Sequence, residues 1–173
     1  TAQAIPYLQR AGQRAVERTA YAEAISSPTA ALDLLTTLPE TRERRQQELS
    51  VQMTLGTALR VTKGGGAPEV QQLFTHARDL CDQVGEPAQL FRILWGLWSG
   101  YNARGDYQTM RAVGEQLLNL AERLHDPDLL LEAHHALWTS LFSSGDLAAA
   151  RTHQEQGLRF YDPQGHHTYA ALY

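Results

Sequence analysis

Apolar positions along this chain recur at steps of three and four. Ile5, Leu8, Ala11, Gly12, Ala15 and Val16 form one such set, and side chains at that spacing line one face of a helix. Phe91, Leu94, Trp95, Trp98 and Tyr101 form another, and after Gly105-Asp106 the pattern resumes at Met110, Val113, Gly114, Leu117, Ala121 and Leu124. Leu130, Ala133, His134, Leu137, Trp138 and Leu141 make a further set. Beyond Gly145-Asp146 the spacing continues more weakly at Leu147, Ala150, Gln154, Leu158 and Tyr161. No stretch of convincing length alternates with period two, so the pattern predicts helices and no strands.

The helices are punctuated by residues that stop them. Breaks fall at Leu38-Pro39, from Lys63 to Pro68, at Gly85-Glu86-Pro87, at Asp126-Pro127 and at Asp162-Pro163-Gln164-Gly165. Proline suits a first helical turn, where no N–H donor is required, and glycine accepts the left-handed conformation that closes a helix. Gly105-Asp106 and Gly145-Asp146 lie 40 residues apart in the same setting, an apolar helix before and an amphipathic helix after. Each reads as the turn of a helical hairpin, with the aspartate capping the second helix.

The hairpins repeat, and the repeat resembles a tetratricopeptide repeat. The matching positions are Leu8, Ala11, Gly12, Ala15, Tyr21, Ala24 and Ala31 in the first unit, and Leu55-Gly56, Leu59, Val70, Phe74 and Ala77 in the second. The third matches at Leu94, Leu97, Trp98, Tyr101, Gly105, Tyr107, Met110 and Leu117. The fourth does so at Leu137, Trp138, Leu141, Gly145, Leu147, Ala150 and Gly157. The resemblance covers nearly the whole chain. It implies an all-α fold, a right-handed superhelical α-solenoid of about four hairpins over residues 4–39, 40–85, 87–126 and 127–162, with residues 166–173 opening a fifth.

Pro28 departs from the repeat pattern. Proline inside a helix removes one hydrogen bond and crowds the preceding turn, so the second helix of the first repeat is expected to break there and restart from Ser26-Ser27. The stretches "AIPYLQRAGQRAVERTAYAEAI", "QLFRILWGLW" and "RFYDPQGHH" are similar to the helical region that follows the ATPase module of large bacterial signalling proteins, often headed by an adenylate or guanylate cyclase domain. That resemblance implies one repeat domain, residues 1–173, excised from a longer chain. A start without methionine and a stop at Tyr173 inside a helical pattern carry the same expectation.

Composition narrows the partners. A formal charge of −4 and a pI near 5.9 offer no excess of cations for displacing counterions from nucleic acid. No apolar run approaches the ~18 residues of a membrane span. A single cysteine, Cys81, excludes an internal disulfide and fits a reducing cytoplasm. Arginine supplies all but one of the 15 basic residues, a bias without a functional reading.

Catalytic and metal signals are weak. Lys63 precedes Gly64-Gly65-Gly66, whereas a phosphate loop needs its lysine after the glycines and a strand before them. His134 and His135 are adjacent and point about 100° apart on a helix, and His166-His167 follow a loop, so neither pair has the spacing of a helical metal site. Cys81 shares an apolar face with Phe74, Ala77 and Val84 and reads as a small hydrophobe. Glu40 and Glu43 read as a solvated helix start. Arg104-Gly105-Asp106 spells an adhesion tripeptide, but Ser144 replaces the arginine in the parallel turn, so it reads as turn chemistry. No cofactor is expected, and the fragment is read as non-enzymatic.

The function then rests on surface. A tetratricopeptide array presents a groove lined by the first helix of each hairpin. Projecting the register places Gln9, Gln13, Met53, Thr57, Arg60, Arg92, Trp95, Ser99, Asn102, Glu132, His135, Thr139 and Phe142 there. Met53, Arg60, Arg92, Trp95, Asn102, Glu132, His135 and Phe142 form the candidate site, with Trp95 and Arg92 as one anchor. The expected partner is a protein or peptide, or another domain of the same chain. Self-association through Tyr169, Leu172 and Tyr173 is a further expectation. A small-molecule sensor regulating an attached ATPase or cyclase is the alternative.

Overall fold

The structure, a computed structural model, describes residues 2–162. These form eight α-helices in order: α1 (Ile5–Glu17), α2 (Tyr21–Thr36), α3 (Arg42–Lys63), α4 (Pro68–Val84), α5 (Pro87–Arg104), α6 (Tyr107–Leu124), α7 (Pro127–Ser143) and α8 (Leu147–Gly157). Short 3₁₀ turns precede α1 at Ala2–Ala4 and follow α8 at Leu158–Phe160. None of the described residues is in a strand. The expected fifth repeat, residues 166–173, lies outside the described residues.

Local chemistry sets the helix ends. Thr41 accepts from the Arg44 amide at 3.1 Å, Asp106 from Thr109 at 3.2 Å, Asp126 from Asp128 at 2.9 Å and Asp146 from Ala149 at 3.2 Å. Each cap satisfies an amide that the first turn leaves without a partner. Gly105 and Gly145 have φ of +72° and +85°, a left-handed backbone that costs glycine nothing. The α1–α2 turn uses Thr19 at φ +57°, and α6 ends on His125 at +53°. Both turns lack a glycine signal.

The chain divides into two compact units, Thr1–Arg104 and Gly105–Tyr173. In the first, α1 packs on α2 and α3, α2 on α3, α3 on α4 and α4 on α5. One core cluster joins Leu49 and Met53 of α3 to Val70, Phe74, Ala77, Leu80 and Cys81 of α4 and to Ile93 and Leu97 of α5. The Phe74 ring fits where α3 and α5 carry glycine. A β-carbon at Gly56 would lie 2.9 Å from the ring and one at Gly96 2.6 Å, distances that packed carbons do not adopt.

The expected break at Pro28 does not occur. Helix α2 runs unbroken from Tyr21 to Thr36 with Pro28 inside it. Its ring is fully buried against Gly12 of α1, where a β-carbon would meet Pro28 Cγ at 2.7 Å. Packing of the ring into the gap left by a glycine offsets part of the cost of the lost backbone bond.

In the second unit α6 packs on α7 and α7 on α8, with the Leu158–Phe160 turn against both α7 and α8. Leu137, Leu141 and Ala150 form a buried cluster in it, flanked by Leu118, Trp138 and Ala149. Gly114 admits α7 closely, since a β-carbon there would lie 3.1 Å from Leu137.

Candidate functional site

An open apolar surface of the second unit lies between α7 and α8. A cleft of about 490 Å³ is lined by Trp138, Thr139 and Phe142 of α7 and by Leu147, Ala150, Arg151 and Gln154 of α8. Spacings of three and four put these side chains on one face of each helix, and the Gly145-Asp146 turn brings the two faces together. Phe142 is 66% exposed and Leu147 60%. Arg151 supplies charge at the rim: its Nε lies 2.7 Å from Glu155 Oε1, and that carboxylate raises the guanidinium above its ordinary value. Beside the cleft, the His135 ring tilts against Trp138 with centroids 4.9 Å apart. His135 Nδ1 lies 3.6 Å from Glu132 Oε2.

The residues singled out from the sequence are not all presented to solvent. In the first unit Met53 is 6% exposed and sits inside the core cluster. Trp95 is 7% exposed, its ring 5.0 Å from that of Trp98. Arg60 is half-buried, and burial lowers its guanidinium from the ordinary value. Arg92 and Asn102 are exposed. The proposed anchor therefore pairs a buried tryptophan with an exposed arginine, and the structure does not present the two as one contact surface. The cause is that α5 is buried nearly all round, over Phe91 and from Ile93 to Trp98, so an offset from one apolar stripe still points into packing.

In the second unit Glu132 is buried, His135 half-buried and Phe142 exposed. Phe142 alone of the eight lines the cleft. Leu147, Arg151 and Gln154 lie on a second helix, which a projection of first helices leaves out, and Trp138 lies on α7 at a position that the repeat pattern assigns to packing. The signal available was Leu147, a large apolar residue directly after a capping aspartate.

The Lys63-Gly64-Gly65-Gly66 segment is held as a turn. Buried Gln71 donates its amide Nε2 to the Gly65 carbonyl at 3.1 Å, and its Oε1 accepts from Arg104 Nη2 at 3.2 Å. The Arg104 guanidinium also lies over the Tyr101 ring, 4.9 Å from its centroid. Lys63 pairs with Glu69 at 2.7 Å. Arg104 is thus a structural clamp on the turn, not a free adhesion handle, and the idea that the arginine is interchangeable with Ser144 gives way to that geometry.

Other polar groups pair within the fold. Glu48 of α3 collects Arg44 at 3.1 Å, His76 at 3.2 Å and Gln52 at 3.4 Å. Cys81 Sγ donates to the Glu86 carbonyl at 3.2 Å, and burial pushes its thiol up, away from the thiolate that makes a cysteine reactive. His134 and His153 face each other with Nδ1 atoms 3.1 Å apart. Among the described residues, no group of three or more His, Cys, Asp or Glu is placed to hold a metal ion. None of the described helices is long and apolar enough to cross a membrane.

This geometry defines an all-helical protein of the tetratricopeptide-like solenoid class. In the solved structures, the crystal structure of aspartyl phosphate phosphatase F from Bacillus subtilis superposes with a TM-score of 0.81 over 98% of this chain and 43% of that one, at 12% sequence identity. That likeness is one of fold. No protein-family model matches the chain. An uncharacterized protein of Rhizobium meliloti (strain 1021) is 25% identical over 162 residues, 92% of this chain. The chain spans 16% of that relative's length.

Proposed function

We propose that this chain is a non-catalytic protein–protein interaction module, a regulatory scaffold within a multidomain bacterial signalling protein. The observation that carries the reading is the α7–α8 cleft, which exposed Phe142 and Leu147 both line. Contiguous exposed apolar surface with a charged rim is the kind of patch that binds protein. Arg92 and Asn102 remain as exposed candidates on α5. The fold shared with aspartyl phosphate phosphatase F and the much longer Rhizobium meliloti relative support a module that works beside other domains. The partner is a protein, or a cyclase- or ATPase-type domain of the same chain, in a reducing cytoplasm. Nucleic acid is disfavoured by the acidic charge.

Cleft volume favours one second reading. About 490 Å³ lies within the range of small-ligand sites, roughly 300–1,000 Å³, so a sensor of an apolar small molecule is the alternative. A photo-crosslinking residue at position 142 of the full-length parent, with position 7 as an exposed control, separates the readings. Discrete adducts to protein at 142 and none at 7 are expected. Failure to cross-link at 142, with a small molecule that raises the melting temperature and is lost on Phe142→Ala, would favour the sensor.

A further inference from the structure

His134 and His153 meet across α7 and α8 in a setting with little slack. Their Nδ1 atoms are 3.1 Å apart and the ring centroids 5.3 Å apart. Phe160, from the 3₁₀ turn after α8, stacks on His134 with centroids 6.1 Å apart and planes 12° from parallel. Gly157 lets the end of α8 approach, since a β-carbon there would sit 3.0 Å from both His134 Cβ and Trp138 Cζ3.

Such a contact specifies protonation. One Nδ1 must carry the proton and the other must offer its lone pair, so the neutral rings occupy opposite tautomers. A first added proton can enter only at the far nitrogen of the donor ring if the bond is to survive, and it places a charge in a partly buried site. A second proton turns both Nδ1 atoms into donors and ends the bond. We infer that this pair is a proton-sensitive latch, fastening the end of α8 and the following 3₁₀ turn to α7 when both imidazoles are neutral and loosening them as they are protonated.

The surroundings agree with that direction. Burial lowers the His134 imidazole, and the neighbouring His153 lowers it further. His153 is lowered by burial first and then by Arg111 of α6, against an opposing effect from Glu115 of the same helix. From the 3₁₀ turn the facing group is the uncharged Phe160 ring. On α8 Arg151 and Glu155, two residues either side of His153, pair with each other, and on α7 Glu132 pairs with His135. A histidine held below its usual value binds its proton more readily when unfolded. Its contribution is complete above about pH 6.5 and is withdrawn as pH falls below that value.

The test uses the full 173-residue chain and its His153→Gln variant. Imidazole nitrogen NMR at pH 7.5 should show the two rings in opposite tautomers, both titrating below about 6.5. Each unit by which a ring lies below that value changes the unfolding equilibrium tenfold across the window. Wild-type stability should therefore fall more steeply than that of His153→Gln between pH 7 and 5, the histidines outside the pair cancelling in the comparison. Identical tautomers, a ring titrating at or above about 6.5, or equal slopes would overturn the latch. So would zinc that raises the wild-type melting temperature at pH 7.5 and not that of His153→Gln, because the pair would then serve a cation. The tautomer measurement needs only the wild type and stands if the variant does not fold.

Discussion

Gln71 occupies the space that a side chain at Gly100 would fill. A β-carbon at position 100 would overlap Gln71 Nε2 and lie 2.7 Å from the Gly65 carbonyl that Nε2 bonds. One glycine on α5 thus lets a buried glutamine on α4 tie down the three-glycine turn.

Gly100→Ala is therefore expected to destabilise the chain by about 1–3 kcal/mol through overpacking. In a Gln71→Ala background the same change should cost much less, because the clashing amide is gone. A double-mutant cycle from urea melts measures the coupling. Additive effects would mean that the two residues do not share this space.

Arg104→Ala removes a bond to Gln71 and a cation–ring contact. Together these are worth about 1–2 kcal/mol. Arg104→Lys keeps the charge without the planar fork and should recover only part of the loss. Equal melts for wild type and Arg104→Ala would return this arginine to the status of an interchangeable turn residue.

Gly12→Ala should cost about 1–3 kcal/mol, since the new methyl meets the Pro28 ring. Pro28→Ala restores an N–H for the Ala24 carbonyl and relieves a helix-interior proline, a gain of about 3 kcal/mol. It forfeits the buried ring, at about 0.8 kcal/mol per CH₂ plus a cavity cost. A modest net stabilisation, read as a higher melting temperature, is the expected balance, and it should also make Gly12→Ala tolerable.

Trp95→Ala should lower stability by about 3–5 kcal/mol, as for any large buried side chain, while Arg92→Ala should stay within about 0.5 kcal/mol. Thermal melts of the two variants decide it. A Trp95→Ala protein with unchanged stability that no longer binds a partner would restore the tryptophan as a binding anchor.

What could be read from the sequence alone was local. Asp106, Asp126 and Asp146 cap helices because a short carboxylate beside free amides needs nothing distant. Gly105 and Gly145 turn the chain because only glycine takes that backbone freely. The turn at Thr19 carries no such mark, because a non-glycine residue takes the left-handed backbone there. The tertiary structure decided the rest. Pro28 conflicts with its own helix locally, yet its place depends on Gly12 across the α1–α2 interface. The angle of Trp95 from one apolar stripe is local, but its burial depends on how many sides of α5 are covered. The α7–α8 cleft appears only when two helices are set side by side, and the His134–His153 contact joins residues 19 apart in sequence. Helix and turn follow from a residue's near neighbours and its own φ preferences, whereas exposure follows from which distant faces close over it.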